Sequence, residues 1–70
     1  MTLKDFIDNL KRKSTRVVIS ETDCSLPTEI TFNNTVGTLL NSVYYHNNYN
    51  KEIRMIIFDD DIYLISIFRR

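Results

Sequence analysis

Residues 53–68 read IRMIIFDDDIYLISIF. Two apolar runs flank three consecutive aspartates, Asp59 to Asp61. Whether that triplet is a turn or a chemical site decides both the fold and the class of function. With all three residues in the loop, Phe58 falls opposite Ile62, Ile57 opposite Tyr63, Met55 opposite Ile65, Arg54 opposite Ser66 and Ile53 opposite Ile67. The two polar residues then meet, and the apolar pairs match. A two-residue loop at Asp59 and Asp60 sets Arg54 against Ile65 instead. Register follows the better pattern, and aspartate tolerates the left-handed backbone that such a loop needs. As a metal site the triplet is poor, because adjacent acids on a tight turn diverge while calcium or magnesium needs several converging oxygens. As a glycosidase pair it is poor too, since a hairpin tip offers no cleft between two carboxylates. The expectation is a hairpin tip with no metal and no catalytic residue.

The hairpin has two apolar faces. In this register Ile53, Met55, Ile57, Tyr63, Ile65 and Ile67 share one, and Ile56, Phe58, Ile62, Leu64 and Phe68 share the other. An antiparallel sheet with one wet side alternates apolar with polar residues. An apolar face left uncovered marks an interface. The second face, Ile56, Phe58, Ile62, Leu64 and Phe68, is therefore expected to meet another chain, in self-association or with a partner.

Upstream, Leu3, Phe6, Ile7 and Leu10 have i, i+3, i+4, i+7 spacing and predict a first helix. Thr2 and Asp5 form its capping box, and Lys11, Arg12 and Lys13 suit its C-terminal end. The same three cations are a candidate phosphate patch. RVVIS (16–20) and TEITFN (28–33) read as strands, with Ile30 and Phe32 inward and Glu29 and Thr31 outward. The loop between them contains Cys24 and Pro27. Val36, Leu39, Leu40 and Val43 predict a second short helix, capped by Asn34 or Thr35 and ended by HNNYN (46–50). The fold class is α+β, in the order α-β-β-α-β-β, with one four-stranded antiparallel sheet and two short helices.

Seventy residues with nine basic and nine acidic side chains make one small domain, residues 1–70, without net charge. Such a chain lacks the general attraction to phosphate backbones that a nucleic-acid binder carries. One cysteine and one histidine provide neither an intrachain disulfide nor a four-ligand Cys/His zinc site. No apolar run approaches the length of a membrane span, and the first residues lack a secretory core. A cytoplasmic location without a cofactor is expected, with self-association as the stabiliser left open to a small chain.

Candidate nucleophiles are weak. Cys24 has no activating base nearby in sequence, and Ser42 would depend on His46. The segment YYHNNYN (44–50) is of more interest. Tyrosine offers rigid contact area with a polar tip, so Tyr44, Tyr45, His46 and Tyr49, with Arg54 just beyond, are candidate binding residues. Aromatic and basic groups together suit a protein partner or a nucleotide.

The series TLKDFIDNL (2–10), RVVIS (16–20), EITFNNTVGTLLNSVYY (29–45) and EIRMIIFDDDIYLISI (52–67) resembles small proteins encoded by phages and prophages of Firmicutes. These begin with a T-L-x-D-L-type helix, carry a T-V-x-x-L-L-type short helix and end in an acidic-tipped hairpin. Proteins of this class include anti-CRISPR proteins and other antagonists of bacterial immunity. The resemblance transfers no site residues. It implies a non-enzymatic protein in the host cytoplasm that binds and occludes a host immune protein. Two alternatives are an oligomeric sponge for a nucleotide immune signal and a structural or regulatory phage accessory protein.

Overall fold

A computed structural model describes residues 1–22 and 29–69. Cys24 and Pro27 lie outside the described residues. Seven elements follow one another: α1 (Leu3–Ile7), β1 (Arg16–Thr22), β2 (Glu29–Thr35), α2 (Val36–Leu40), α3 (Val43–Asn48), β3 (Ile53–Asp59) and β4 (Ile62–Phe68). The four strands form one sheet in the order β2-β1-β4-β3.

The α+β class holds, but the sheet is mixed. β1–β2 and β3–β4 are antiparallel hairpins, whereas β1 and β4 run parallel, with Val17 beside Tyr63 and Ile19 beside Ile65. The cause lies in the connection between the hairpins. β2 passes directly into α2 at Thr35–Val36. The helical segment carries the chain back across one face of the sheet, so β3 starts at the end where β2 started. A crossover of this kind produces parallel strands, and β4 then runs alongside β1. Periodicity identifies strands and hairpins but not the direction of that return, which is why an all-antiparallel sheet was the wrong expectation.

Each helix begins at a hydroxyl cap. The Thr2 hydroxyl accepts from Asp5 N at 3.2 Å, and Thr2 N donates to the Asp5 carboxylate at 3.0 Å, completing the capping box. The Thr35 hydroxyl accepts from Thr38 N at 3.3 Å, as the sequence indicates. The third cap, Ser42, accepts from Tyr45 N at 3.0 Å and starts a helix that the sequence reading folded into the second. Val43, expected on a buried stripe, is 74% exposed because the helix axis changes before it. α1 is also shorter than expected. Residues 13–15 leave it to dock on α2, where the Lys13 and Thr15 carbonyls accept from Gly37 N and Val36 N, both at 2.8 Å. Those contacts satisfy amide donors that a helix N-terminus otherwise leaves open.

The hairpin tip is a two-residue loop. Asp60 and Asp61 have φ of 52° and 62°, so both occupy the left-handed region of a type I′-like turn. Asp59 belongs to β3 and pairs with Ile62, Phe58 with Tyr63, Ile57 with Leu64 and Ile56 with Ile65. This corrects the three-residue loop. The extra residue is absorbed between Ile53 and Met55, where the register shifts. Ile53 still pairs with Ile67, as anticipated, but Met55, not Arg54, pairs with Ser66. A bulge accommodates a charged residue that would interrupt an apolar ladder. A second shift between Ile19 and Ser20 places Ile30 beside Ser20 on the outer face, 65% exposed, and only Phe32 of the expected inward pair turns to the core.

The core lies between helices and sheet. Leu3 and Ile7 of α1 and Val36 and Leu39 of α2 pack on Val17 and Ile19 of β1 and Ile65 and Ile67 of β4; all eight are buried. Phe6, Phe32, Tyr44, Tyr45, Ile53, Ile56 and Tyr63 border this cluster.

Candidate functional site

Strand alternation divides the sheet residues in two. Val17, Ile19, Ile53, Ile56, Tyr63, Ile65 and Ile67 face the helices. Val18, Met55, Ile57, Ile62, Leu64, Ser66 and Phe68 face away from them. No described element covers this outer side. Met55 is 47% exposed, Ile57 45%, Leu64 39% and Phe68 43%. Side chains of this kind normally supply core, and here four of them lie on one side of the sheet at about half exposure, with Ile30 of β2 on the same side at 65%.

This surface differs in composition from the expected one. Ile62, Leu64 and Phe68 are on it. Ile56 and Phe58 are not, because the bulge at Arg54 shifts β3 by one residue and exchanges its faces. Ile56 pairs with Ile65 and borders the core. Phe58 lies on the helix side beyond the helices, with its ring 4.6 Å from that of Tyr63, which meets Phe6 edge-on at 5.2 Å. Met55, Ile57 and Val18 take their places outside. The lone charge within an apolar run was the available signal for the bulge.

The tyrosine segment is helical rather than a loop, and its members separate. Tyr44 stacks on Phe32 at 5.8 Å, and its hydroxyl lies 2.7 Å from the Thr31 hydroxyl and 3.2 Å from the Glu21 carboxylate. Burial first, and the Glu21 charge after it, push the Tyr44 hydroxyl up to about 12, against the lowering effect of the Thr31 bond. Tyr44 is thus a packing residue with a satisfied polar tip. Tyr45 is half-buried, and burial raises its hydroxyl as well. Its ring lies 6.3 Å from that of Tyr49. His46 and Tyr49 are exposed on the helix layer, and Arg54 is exposed on β3, the opposite edge of the sheet from β2. The five residues do not converge on one point.

A third feature lies at the hairpin-tip end of the sheet. An open depression of about 500 Å³ is lined by Arg12 and Arg16, by Phe58 and Tyr63, and by Asp60 and Asp61. It brings guanidinium, aromatic and carboxylate groups together. Among the described residues, no group of three His, Cys, Asp or Glu side chains is placed to hold a metal ion. Among the described residues, no helix is long and apolar enough to cross a membrane. Compared with family models, curated proteins and solved structures, the chain matches none.

Proposed function

We propose that this chain is a non-enzymatic binding protein that antagonises a bacterial immune system by occluding one of its proteins. The observation that carries the binding part is the uncovered outer face of the sheet, with Met55, Ile57, Leu64 and Phe68 half exposed. Apolar surface gathered in one patch is stabilised when another protein removes it from water. The turn role of Asp60 and Asp61 fits a protein that works by contact rather than chemistry. The class of partner comes from the likeness to small phage proteins. The test is plaque formation by a phage on a panel of hosts, each carrying one defined defence system, with and without this protein. Restored plaquing on one host, lost with Leu64→Lys, supports the reading. Unchanged restriction across the panel removes it.

The depression between Arg12, Arg16, Phe58 and Tyr63 favours a second reading, the sponge for a nucleotide signal. Aromatic rings can stack a base while guanidinium groups hold phosphate. Calorimetry with cyclic and linear oligonucleotide messengers separates the two. Binding without any protein partner, weakened by Arg12→Ala, selects the sponge.

A further inference from the structure

We infer that the occupant of the outer face is a second copy of this chain, packed sheet to sheet about a two-fold axis running along β4. This rests on the reading of that face as a protein contact and names a second copy as what covers it, which leaves the helix-bearing sides of the dimer for the immune protein. The pattern of residues across the face selects the geometry. Adjacent strands place Arg16, Ile62 and Asp59 in one row, Val18, Leu64 and Ile57 in the next, and Ser20, Ser66 and Met55 in the third. β2 extends each row beyond β1 with Thr35, Asn33 and Ile30, and β4 is the middle of the other three strands. A two-fold axis along it keeps each row at its own level and exchanges the strands on either side. Arg16 then lies over Asp59 of the second copy, Val18 over Ile57 and Ser20 over Met55. Leu64 and Phe68 meet their own counterparts near the axis.

The charges are what make this self-complementary. Arg16 and Asp59 flank Ile62 on its two sides in one row. Among the described residues neither has a charged partner; Arg16 reaches only the Asn33 side chain, at 3.1 Å. A two-fold axis along β4 gives both of them a partner, twice over. An axis perpendicular to the strands would carry this row to the Phe68 end and leave all four charges unpaired. Aligned sheets pack about 10 Å apart with strands crossing at about 30°, within reach of an arginine side chain.

The area suffices. A standard interface takes about 800 Å² from each partner, which is roughly a sixth of the 4811 Å² surface of this chain. The molecule has extents of 34 × 26 × 19 Å. The dimer would have four layers, with helices outside and His46 and Tyr49 of both copies turned outward.

Sedimentation equilibrium over a concentration series tests this on the full chain. The parent should approach twice the 8.3 kDa of one chain. Leu64→Lys and Ile57→Lys should each be monomeric with unchanged circular dichroism; both sites are half exposed, so the fold tolerates them. Arg16→Asp and Asp59→Arg should each weaken the dimer at least about tenfold, because like charges then face each other. The double exchange should return to within about threefold of the parent. A parent that stays monomeric, a dimer that survives both lysine variants, or a double exchange that fails to restore it overturns the inference. The plaque assay separates the two claims. A monomeric parent whose antagonism is lost with Leu64→Lys overturns the dimer and keeps the face as the partner's site. A monomeric parent whose Leu64→Lys variant still antagonises overturns both.

Discussion

Val18 of β1 and Leu64 of β4 stand side by side in the parallel ladder, and Ile57 of β3 lies against Leu64 from the other side. The three form an apolar row across the middle of the outer face, while their sequence neighbours Val17, Ile19 and Ile65 fill the core. Buried and part-exposed apolar side chains thereby alternate along the same strands. Leu64→Thr should change folding stability by less than about 1 kcal/mol, as exposed positions do, yet reduce rescue of plaquing. Thermal melts beside the plaque assay read both. A melting temperature lowered as far as for Ile65→Ala would assign Leu64 to the core.

The tip of the hairpin holds two aspartates with positive φ. An L-residue there carries a cost of about 1–2 kcal/mol, and Asn-Gly is the pair best suited to such a turn. Replacing Asp60 and Asp61 by Asn and Gly should stabilise the fold by about 1 kcal/mol, or about 4–8 °C in Tm for a chain of this size. Asp61→Val should do the opposite. Partner binding should survive the first change. If it is lost while the fold is intact, the carboxylates have a role beyond the backbone.

Tyr44→Phe keeps the stack on Phe32 and removes the hydroxyl contacts to Thr31 and Glu21. It should cost about 1 kcal/mol near neutral pH. The pH dependence has a definite sign. The folded-state value is raised from 10.0 to about 12, so below pH 10 the contribution is fully present. Between pH 10 and 12 the unfolded chain releases this proton and the folded one keeps it. Stability falls over that window as pH rises. Denaturant melts from pH 8 to 12 should show a shallower fall for Tyr44→Phe than for the parent.

Tyr45 and Tyr49 lie tilted against each other but differ in burial, Tyr49 being 41% exposed and Tyr45 bordering the core. Tyr45→Ala should lower the melting temperature by the equivalent of about 2 kcal/mol, and Tyr49→Ala by less than about 1 kcal/mol. A loss of antagonism with Tyr49→Ala or His46→Ala, at unchanged stability, would place the immune partner on the helix layer. Equal destabilisation by Tyr45→Ala and Tyr49→Ala would make both core residues.

Much of the architecture was legible in local chemistry. Thr2 with Asp5 and Thr35 before Val36 mark helix starts because an oxygen must satisfy free amides. Alternation in RVVIS marks a strand, and the aspartates mark a turn, although only Asp60 and Asp61 form it. What was not legible depends on contacts distant in sequence. The parallel pairing of β1 with β4 follows from the path of the helical return. The exchange of faces in β3 follows from a bulge at Arg54, and one residue of shift moves every side chain to the opposite side. The five binding candidates rest on residue type, and type alone does not separate a tyrosine bonded to Glu21 from one in water.

A ribosome making this chain delivers β4 last among the seven elements, yet β4 lies between β1 and β3. Until it emerges, β1 has only β2 beside it, and Ile65 and Ile67 are missing from the core. Isolated hairpins of this kind are marginal in water. Before β4 is made, the sheet lacks its link between β1 and β3, and the helices lack Ile65 and Ile67 to pack on. Loss of the residues from Ile65 onward would abolish the fold rather than trim it. A tag fused after Phe68 that hinders this insertion would lower yield more than the same tag placed ahead of α1.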